Sequence, residues 1–331
     1  MEIDASSPFS KAFDHASSHI SLRFQNPLYR LTELFTGSDF RASLVEVKRF
    51  GRQIVANARK RRSRAAFESL ITNEDLSEPG YGTLIDSLIE AFAEPQVVAD
   101  SALNFLSAGR DTTAQSFTWT FYALMRNPEA LAALRREIDS KFPFQSNDKP
   151  DATDNAKTQG GVEINMAALQ PTALPLTLAT FYEALRLYPP VPFEIKQCSD
   201  PVTLPDGTSL PAGAIVVWCI YALNRSASTF GADAHLFRPS RWLDSDGRFA
   251  GKSAFEFPVF NGGPRACLGK KMAEVMAAWV LVRMCVDWDL EEHLPEGCPV
   301  RERVSANSLT LPMDGGLPCR VRVRQWDGRV R

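Results

Sequence analysis

Apolar residues recur along this chain mostly at helical spacing, with short strand-like stretches in the C-terminal half. The pattern predicts a mainly α protein with small β-sheets. Phe9, Phe13, Ala16 and Ile20 share one helical face in the first 35 residues, before a break at Asn26-Pro27. A helix is expected over 38–64, with Ser38 or Asp39 as cap and Phe40, Leu44, Val47, Phe50, Ile54 and Val55 as its apolar face. It ends in the basic run Arg59-Lys60-Arg61-Arg62-Ser63-Arg64. Such cations solvate a helix C-terminus, where the dipole favours them; a docking patch for an acidic partner or a membrane surface is the alternative. After a polar turn region at 73–82, residues 84–92 form a short helix. Residues 96–126 form a long one, opened near Pro95, stopped before Asn127-Pro128 and about 45 Å long. Helices at 128–142 and 175–188 follow, the second ended by Pro189-Pro190, with a polar mobile surface loop at 143–163 between them.

Residues 191–224 read as a small sheet. Pro205-Asp206-Gly207-Thr208 is a hairpin turn, Pro211-Ala212-Gly213 a second turn, and 214–218 an apolar strand. An amphipathic to apolar helix covers 270–285. Short strands are expected at 303–311 and 317–324, the latter alternating a buried Cys319, Val321, Val323 face with a wet Arg320, Arg322, Arg324 face. No internal repeat appears, and the chain is read as one domain over 1–331.

Composition narrows the function classes. With 331 residues, 44% hydrophobic, 23% charged and a formal net charge of -2, the chain is an ordinary folded protein with no basic excess for a nucleic-acid partner. Its 6 cysteines include no Cys-x-x-Cys pair and its 4 histidines no zinc spacing, so reduced, intracellular thiols are expected. No uncharged apolar run reaches about 18 residues, and residues 1–11 lack a signal-peptide core, so no membrane anchor is expected in the chain.

The stretch richest in chemistry is Phe260-Asn261-Gly262-Gly263-Pro264-Arg265-Ala266-Cys267-Leu268-Gly269, a run of helix breakers just ahead of the 270–285 helix. Free N–H groups and the positive end of a helix dipole favour a thiolate at that place, hence a metal ligand. The glycines let a flat ligand come close to the backbone, and Arg265 can meet an anionic group on it. A buried cysteine in a glycine-rich turn is the plainer alternative.

The pattern Phe-x-x-Gly-x-Arg-x-Cys-x-Gly, met in full at Phe260, Gly263, Arg265, Cys267 and Gly269, resembles the cysteine loop of the haem-thiolate monooxygenases, the cytochromes P-450. The resemblance implies that Cys267 is the axial ligand of a haem b iron and that Arg265 pairs with a haem propionate. In the long helix, Ala108-Gly109-Arg110-Asp111-Thr112-Thr113 is a low-propensity turn. It resembles the family's distal pattern. By that likeness Ala108 and Gly109 leave room for oxygen and substrate, while Asp111 and Thr112 relay protons during oxygen activation; an exposed polar turn is the bland reading. Glu183 and Arg186, three apart on one helix face, can pair. In the family such a pair is joined by an arginine from a downstream loop. Phe237-Arg238-Pro239-Ser240-Arg241-Trp242 resembles that segment and gives Arg241, although Ser240 stands where an acid is usual. The trio is then structural, locking the layer under the haem. By resemblance, too, residues 191–193 lie beside substrate and Lys196 meets a propionate, though an exposed strand lysine reads the same way.

Three motifs in order cover about residues 96–324. The front of the family fold has no counterpart before residue 38, so the chain resembles its C-terminal two-thirds, an N-terminally truncated form. The wording around Thr112, Pro190 and Gly207 is similar to subfamilies that hydroxylate fatty acids and alkanes near the chain terminus. What the resemblance implies is a monooxygenase of a hydrophobic substrate, using O2 and electrons from NADPH through a flavoprotein reductase, at the endoplasmic reticulum membrane. A haem-thiolate isomerase or dehydratase and a non-catalytic remnant are the alternatives, and Asp111-Thr112 speaks against the isomerase.

Overall fold

The structure, a computed structural model, describes residues 7–72, 82–143, 164, 166–294, 302–306, 308–326 and 329–330. As expected, helices predominate and the strands form small two-stranded pairs. Contacts divide the chain into two compact units, Met1–Asp111 with Asn307–Leu309, and Thr112–Ala306 with Thr310–Arg331.

In the first unit, helix α1 (Pro8–Gln25) opens at Ser7, whose hydroxyl accepts the Ser10 N–H at 3.1 Å, with proline at the first helical position where no N–H is missed. It packs on α2 (Tyr29–Thr72). Phe9 stacks on Phe50 with ring centroids 4.0 Å apart, and Leu103 and Leu106 of α4 (Pro95–Arg126) close that cluster. Gly51 marks the close approach, since a Cβ there would stand 2.7 Å from Leu103.

Helix α2 is longer at both ends than the 38–64 expected, and Ser38 and Asp39 do not cap it. Ser38 resembles a cap because serine is a weak helix former within a helix, and Gly37 beside it costs up to about 1 kcal/mol there. Tertiary bonds outweigh that: Glu33 accepts from Arg23 at 2.6 Å and pairs with His19 at 3.0 Å, both from α1. The basic run is likewise no helix terminus. Arg61 bonds the Asp86 carboxylate at 3.0 Å, and Arg62 bonds Glu90 at 2.9 Å, tying α2 to α3 (Leu84–Ala91).

In the second unit the core joins Leu124 of α4, Leu134 and Ile138 of α5 (Pro128–Lys141), Leu178, Phe181 and Leu185 of α6 (Pro175–Leu187), and Leu281 and Val282 of α9 (Lys270–Asp287). The start of α6 is fixed by Glu137 of α5, which accepts the N–H groups of Leu176 and Thr177 at 2.7 Å each, a negative charge at a positive helix end. Strand β1 (Phe193–Gln197) runs antiparallel to β4 (Ile215–Cys219), and between them β2 (Val202–Thr203) and β3 (Ser209–Leu210) make the expected hairpin, with Gly207 at φ 87°. Short helices α7 (Ile220–Leu223) and α8 (Ala227–Phe230) lead to the segment before the cysteine loop. Strand β5 (Trp288–Glu292) pairs with β6 (Cys319–Val323), and β7 (Gln325–Trp326) with β8 (Arg329–Val330).

Two expectations fail here. The described residues of 303–311 do not form a strand, their ladder being reduced to a single bridge from Ser305 to Met313. On β6 no buried face exists: Val321 and Val323 are 52% and 42% exposed, because a two-stranded ribbon buries neither face unless something packs on it. The 143–163 loop, except its first residue, the 73–82 turn, except its last, and Cys298 lie outside the described residues. The other cysteines are free.

Asp86 carries a pH dependence. Burial pushes its carboxyl up, but the Thr83 hydroxyl, the Thr83 N–H and Arg61 outweigh burial and hold it below the ordinary value of 3.8. A depressed carboxyl contributes stability above its unfolded value and loses it as pH falls through the folded value. Asp86→Asn is therefore expected to lower stability by about 1 kcal/mol at neutral pH and to converge with the parent well below pH 3.8, as followed by urea unfolding across pH.

Candidate active site

Helix α6 carries the anchor of the second unit. Glu183 is fully buried, and a carboxylate there demands donors for its lone pairs. It receives Arg186 Nε and Nη2 at 2.8 Å each, the Arg238 N–H at 2.8 Å, Arg241 Nε at 3.0 Å and Trp242 Nε1 at 2.9 Å. The Glu183–Arg186 pair is thus no surface pair. Arg186 spends its remaining donors on the carbonyls of Asn224, Ala234 and Leu236, and Arg241 on those of Phe230 and Asp233. Ser240, in the place of the usual acid, is not needed to close the trio, because the Asp233 carboxylate pairs with Arg238 at 2.8 Å and Arg241 at 3.4 Å.

From this network an aromatic cluster leads to the cysteine loop. The Trp242 ring lies 4.7 Å from Phe257 and 5.4 Å from Tyr182, and Tyr182 lies 6.1 Å from Phe260. The Tyr182 hydroxyl donates to Glu274 of α9 at 2.6 Å, so α6 and α9 are joined at the loop's base; burial, with Glu274 beside it, raises the Tyr182 hydroxyl far above its usual range. Within the loop, the Cys267 N–H donates to the Phe260 carbonyl at 2.8 Å and the Ala266 N–H to Gly263. Gly263 takes φ 63°, the left-handed region where a side chain is strained, and a Cβ on Gly262 would stand 2.9 Å from that of Ala254. Cys267 is exposed, just ahead of α9, whose N-cap is Gly269; Arg265 is exposed beside it and Leu268 is 85% exposed.

Lys196 lies exposed on β1, 3.8 Å from Glu194 and over the Trp218 ring at 6.0 Å. Glu194 in turn accepts from Asn261 of the cysteine loop at 2.9 Å. The polar turn of α4 spans the boundary of the two units: Ala108, Gly109 and Asp111 belong to the first, Thr112 to the second. Asp111 pairs with Arg110 at 3.0 Å, and Arg110 with Asp14 at 2.6 Å. Burial raises the Asp111 carboxyl, Arg110 opposing and Asp14 adding to the rise. Along α4 the hydroxyls of Ser116 and Thr120 bond back to the carbonyls of Thr112 and Ser116 at 2.6 Å each. The structure therefore brings together Glu183, Arg186, Arg241 and, through the aromatic cluster, the Phe260–Gly269 loop. Trp242, Asp233, Tyr182, Glu274 and Glu194 were not foreseen as part of it. Of these, only Trp242 lay inside a quoted motif.

The donor set decides which metal centre fits. Among the described residues no group of three or more His, Cys, Asp or Glu could hold an ion. Cys267 is a solitary thiol, whereas a structural zinc takes about four protein ligands. A haem iron brings its own ring nitrogens and needs only an axial ligand from the chain. An open thiol with side-chain-free Gly263 and Gly269 around it, and Arg265 and Lys196 that have no carboxylate within 3.5 Å among the described residues, fits a flat, anionic, iron-bearing group.

The profile of the cytochrome P450 family matches residues 9–313, and the chain belongs to that family. Among curated relatives, cytochrome P450 CYP94D108 of Paris polyphylla is 32% identical over 95% of this chain and 58% of its own length. Cytochrome P450 52A1 of Candida tropicalis is 31% identical over 95% of this chain and 54% of its own, and alkane hydroxylase MAH1 of Arabidopsis thaliana 31% over 85% and 51%. The chain spans about half the length of these relatives. The crystal structure of the cytochrome P450DA heme domain matches with a TM-score of 0.72 over 98% of this chain and 62% of that one, at 20% identity, which shows the fold.

Removing one member of a buried charge network leaves the others uncompensated. Glu183→Ala strands the Arg186 and Arg241 cations and is expected to cost about 3–5 kcal/mol, measured as the shift in urea unfolding free energy. A loss below about 1 kcal/mol, the range of surface pairs, would contradict the network.

Proposed function

We propose that this chain is a haem-thiolate monooxygenase domain, residues 1–331 being read as one such domain, that hydroxylates a fatty acid or alkane chain near its end. The observation that carries the reading is the exposed thiol of Cys267 in a loop whose backbone is tied at Phe260. Membership of the cytochrome P450 family implies haem. When bound, the haem supplies reductive activation of O2 and transfer of one oxygen atom into a C–H bond. Cys267 would hold the iron, with Arg265 and Lys196 as the cations for the propionates and Phe260, Gly263 and Gly269 shaping the loop around them. Glu183, Arg186 and Arg241 hold the layer that carries the loop.

Proton handling is assigned to the α4 turn. Asp111 holds a proton more readily than an ordinary aspartate because burial disfavours its charge, and Thr112 Oγ1 passes protons on. Ala108 and Gly109 are too small to crowd oxygen or substrate. An acid–alcohol pair of this kind serves a reaction that consumes protons, which favours the monooxygenase over a peroxide isomerase.

The substrate class rests on the relatives: one is named an alkane hydroxylase, and the motif wording is similar to chain-terminal hydroxylases. Electrons would come from NADPH through a flavoprotein reductase. Among the described residues no helix is long and apolar enough to cross a membrane, and location at the endoplasmic reticulum is proposed on the family likeness alone.

The haem-loaded chain, supplied with NADPH, a reductase and a long-chain fatty acid under 18O2, is expected to give a chain-terminal alcohol carrying one labelled oxygen, read by mass spectrometry. Product formed from a hydroperoxide without reductase or O2 would favour the isomerase instead. Thr112→Ala is expected to keep haem while diverting several-fold more of the NADPH consumed into peroxide. Unchanged coupling of NADPH to product would remove Thr112 from the proton path.

A further inference from the structure

Asn261 is the only non-glycine among the described residues with positive φ. Its φ of 55° with ψ of -178° lies close to a region populated almost solely by glycine, and strain of that kind persists only where the surroundings over-determine it. Its neighbour Phe260 supplies the carbonyl that accepts the Cys267 N–H at 2.8 Å, so the strained residue stands at the tether of the thiol. The restraint is visible: Asn261 Nδ2 donates to Glu194 Oε1 at 2.9 Å. Glu194 is itself fixed, sitting in β1 opposite Trp218 of β4, with a side chain only 22% exposed. Glycine at 261 would permit the backbone conformation but could not be tethered.

We infer that Glu194 is a positioning residue for Cys267: its carboxylate grips the Asn261 side chain, holds the backbone at 261 in its glycine-like conformation, and so keeps the Phe260–Cys267 hydrogen bond closed. Glu194 does not touch the sulfur; it acts through the loop. The consequence for iron ligation rests on the haem reading proposed above, whereas the consequence for the loop does not.

Hydrogen exchange of the Cys267 amide in the haem-free 331-residue chain separates the two. Glu194→Ala is expected to speed that exchange roughly ten-fold, by local opening, with the buried α9 amide of Leu281 unaffected. Asn261→Ala, which keeps the strain but loses the tether, should do the same. Glu194→Gln retains an acceptor and should restore slow exchange. In an Asn261→Gly background, Glu194→Ala should add nothing. An unchanged rate in Glu194→Ala and Asn261→Ala, or an undiminished effect of Glu194→Ala in the glycine background, would overturn the inference. In haem-loaded chains, Glu194→Ala should reduce the share of reduced carbonyl absorbing near about 450 nm at equal haem content. Failure of the parent chain to take up haem would overturn the haem reading and leave the exchange result to decide the role of Glu194.

Discussion

A buried carboxylate is the constraint on which the second unit depends. Desolvating Glu183 would be prohibitive if its oxygens were not met by donors from Arg186, Arg238, Arg241 and Trp242. Meeting them fixes the 237–242 segment against α6, while Arg186 and Arg241 fasten carbonyls between 224 and 236 to the same point. Such a network adds little net stability over an apolar core, yet it cannot be partly satisfied without large cost. What it gives here is a single arrangement of the loops, from which Trp242, Phe257, Tyr182 and Phe260 transmit position to the cysteine.

Local signals made much of this legible. Prolines at 95, 128 and 175 start helices within the first turn, and α4, α5, α6 and α9 fall within two residues of the ranges that periodicity and breakers predict. The loop of Phe260 to Gly269 was readable because glycine, proline, arginine and cysteine each have a distinct physical use there. Where the reading failed, what decided was packing between elements, not local pattern. Glu33 meets Arg23 across a turn and carries α2 through Gly37, and Arg61 and Arg62 reach α3 instead of ending a helix. Val321 and Val323 alternate as a half-buried strand should, but nothing among the described residues covers them.

The supporting residues of the site were the least visible. Glu137 reaches the start of α6, Glu194 reaches Asn261, and Tyr182 reaches Glu274, over sequence separations of 39, 67 and 92 residues. No periodicity or spacing encodes such bonds. They appear only once the elements are packed. Asp111 is similar: its sequence marks an acid in a weak helical turn, while its raised affinity for protons arises from burial, with the Asp14 charge adding to the rise and Arg110 acting against it.

Cys267 stands at the centre of the proposed chemistry, and the Glu183 network with its aromatic extension leads to its loop. The most direct test is the carbon monoxide difference spectrum of the dithionite-reduced, haem-reconstituted chain, recorded beside its Cys267→Ala variant. A band near about 450 nm in the parent that vanishes in the variant is the predicted result. A parent with no such band, or a variant that keeps it, would contradict Cys267 as the ligand that the rest of the fold is arranged to hold.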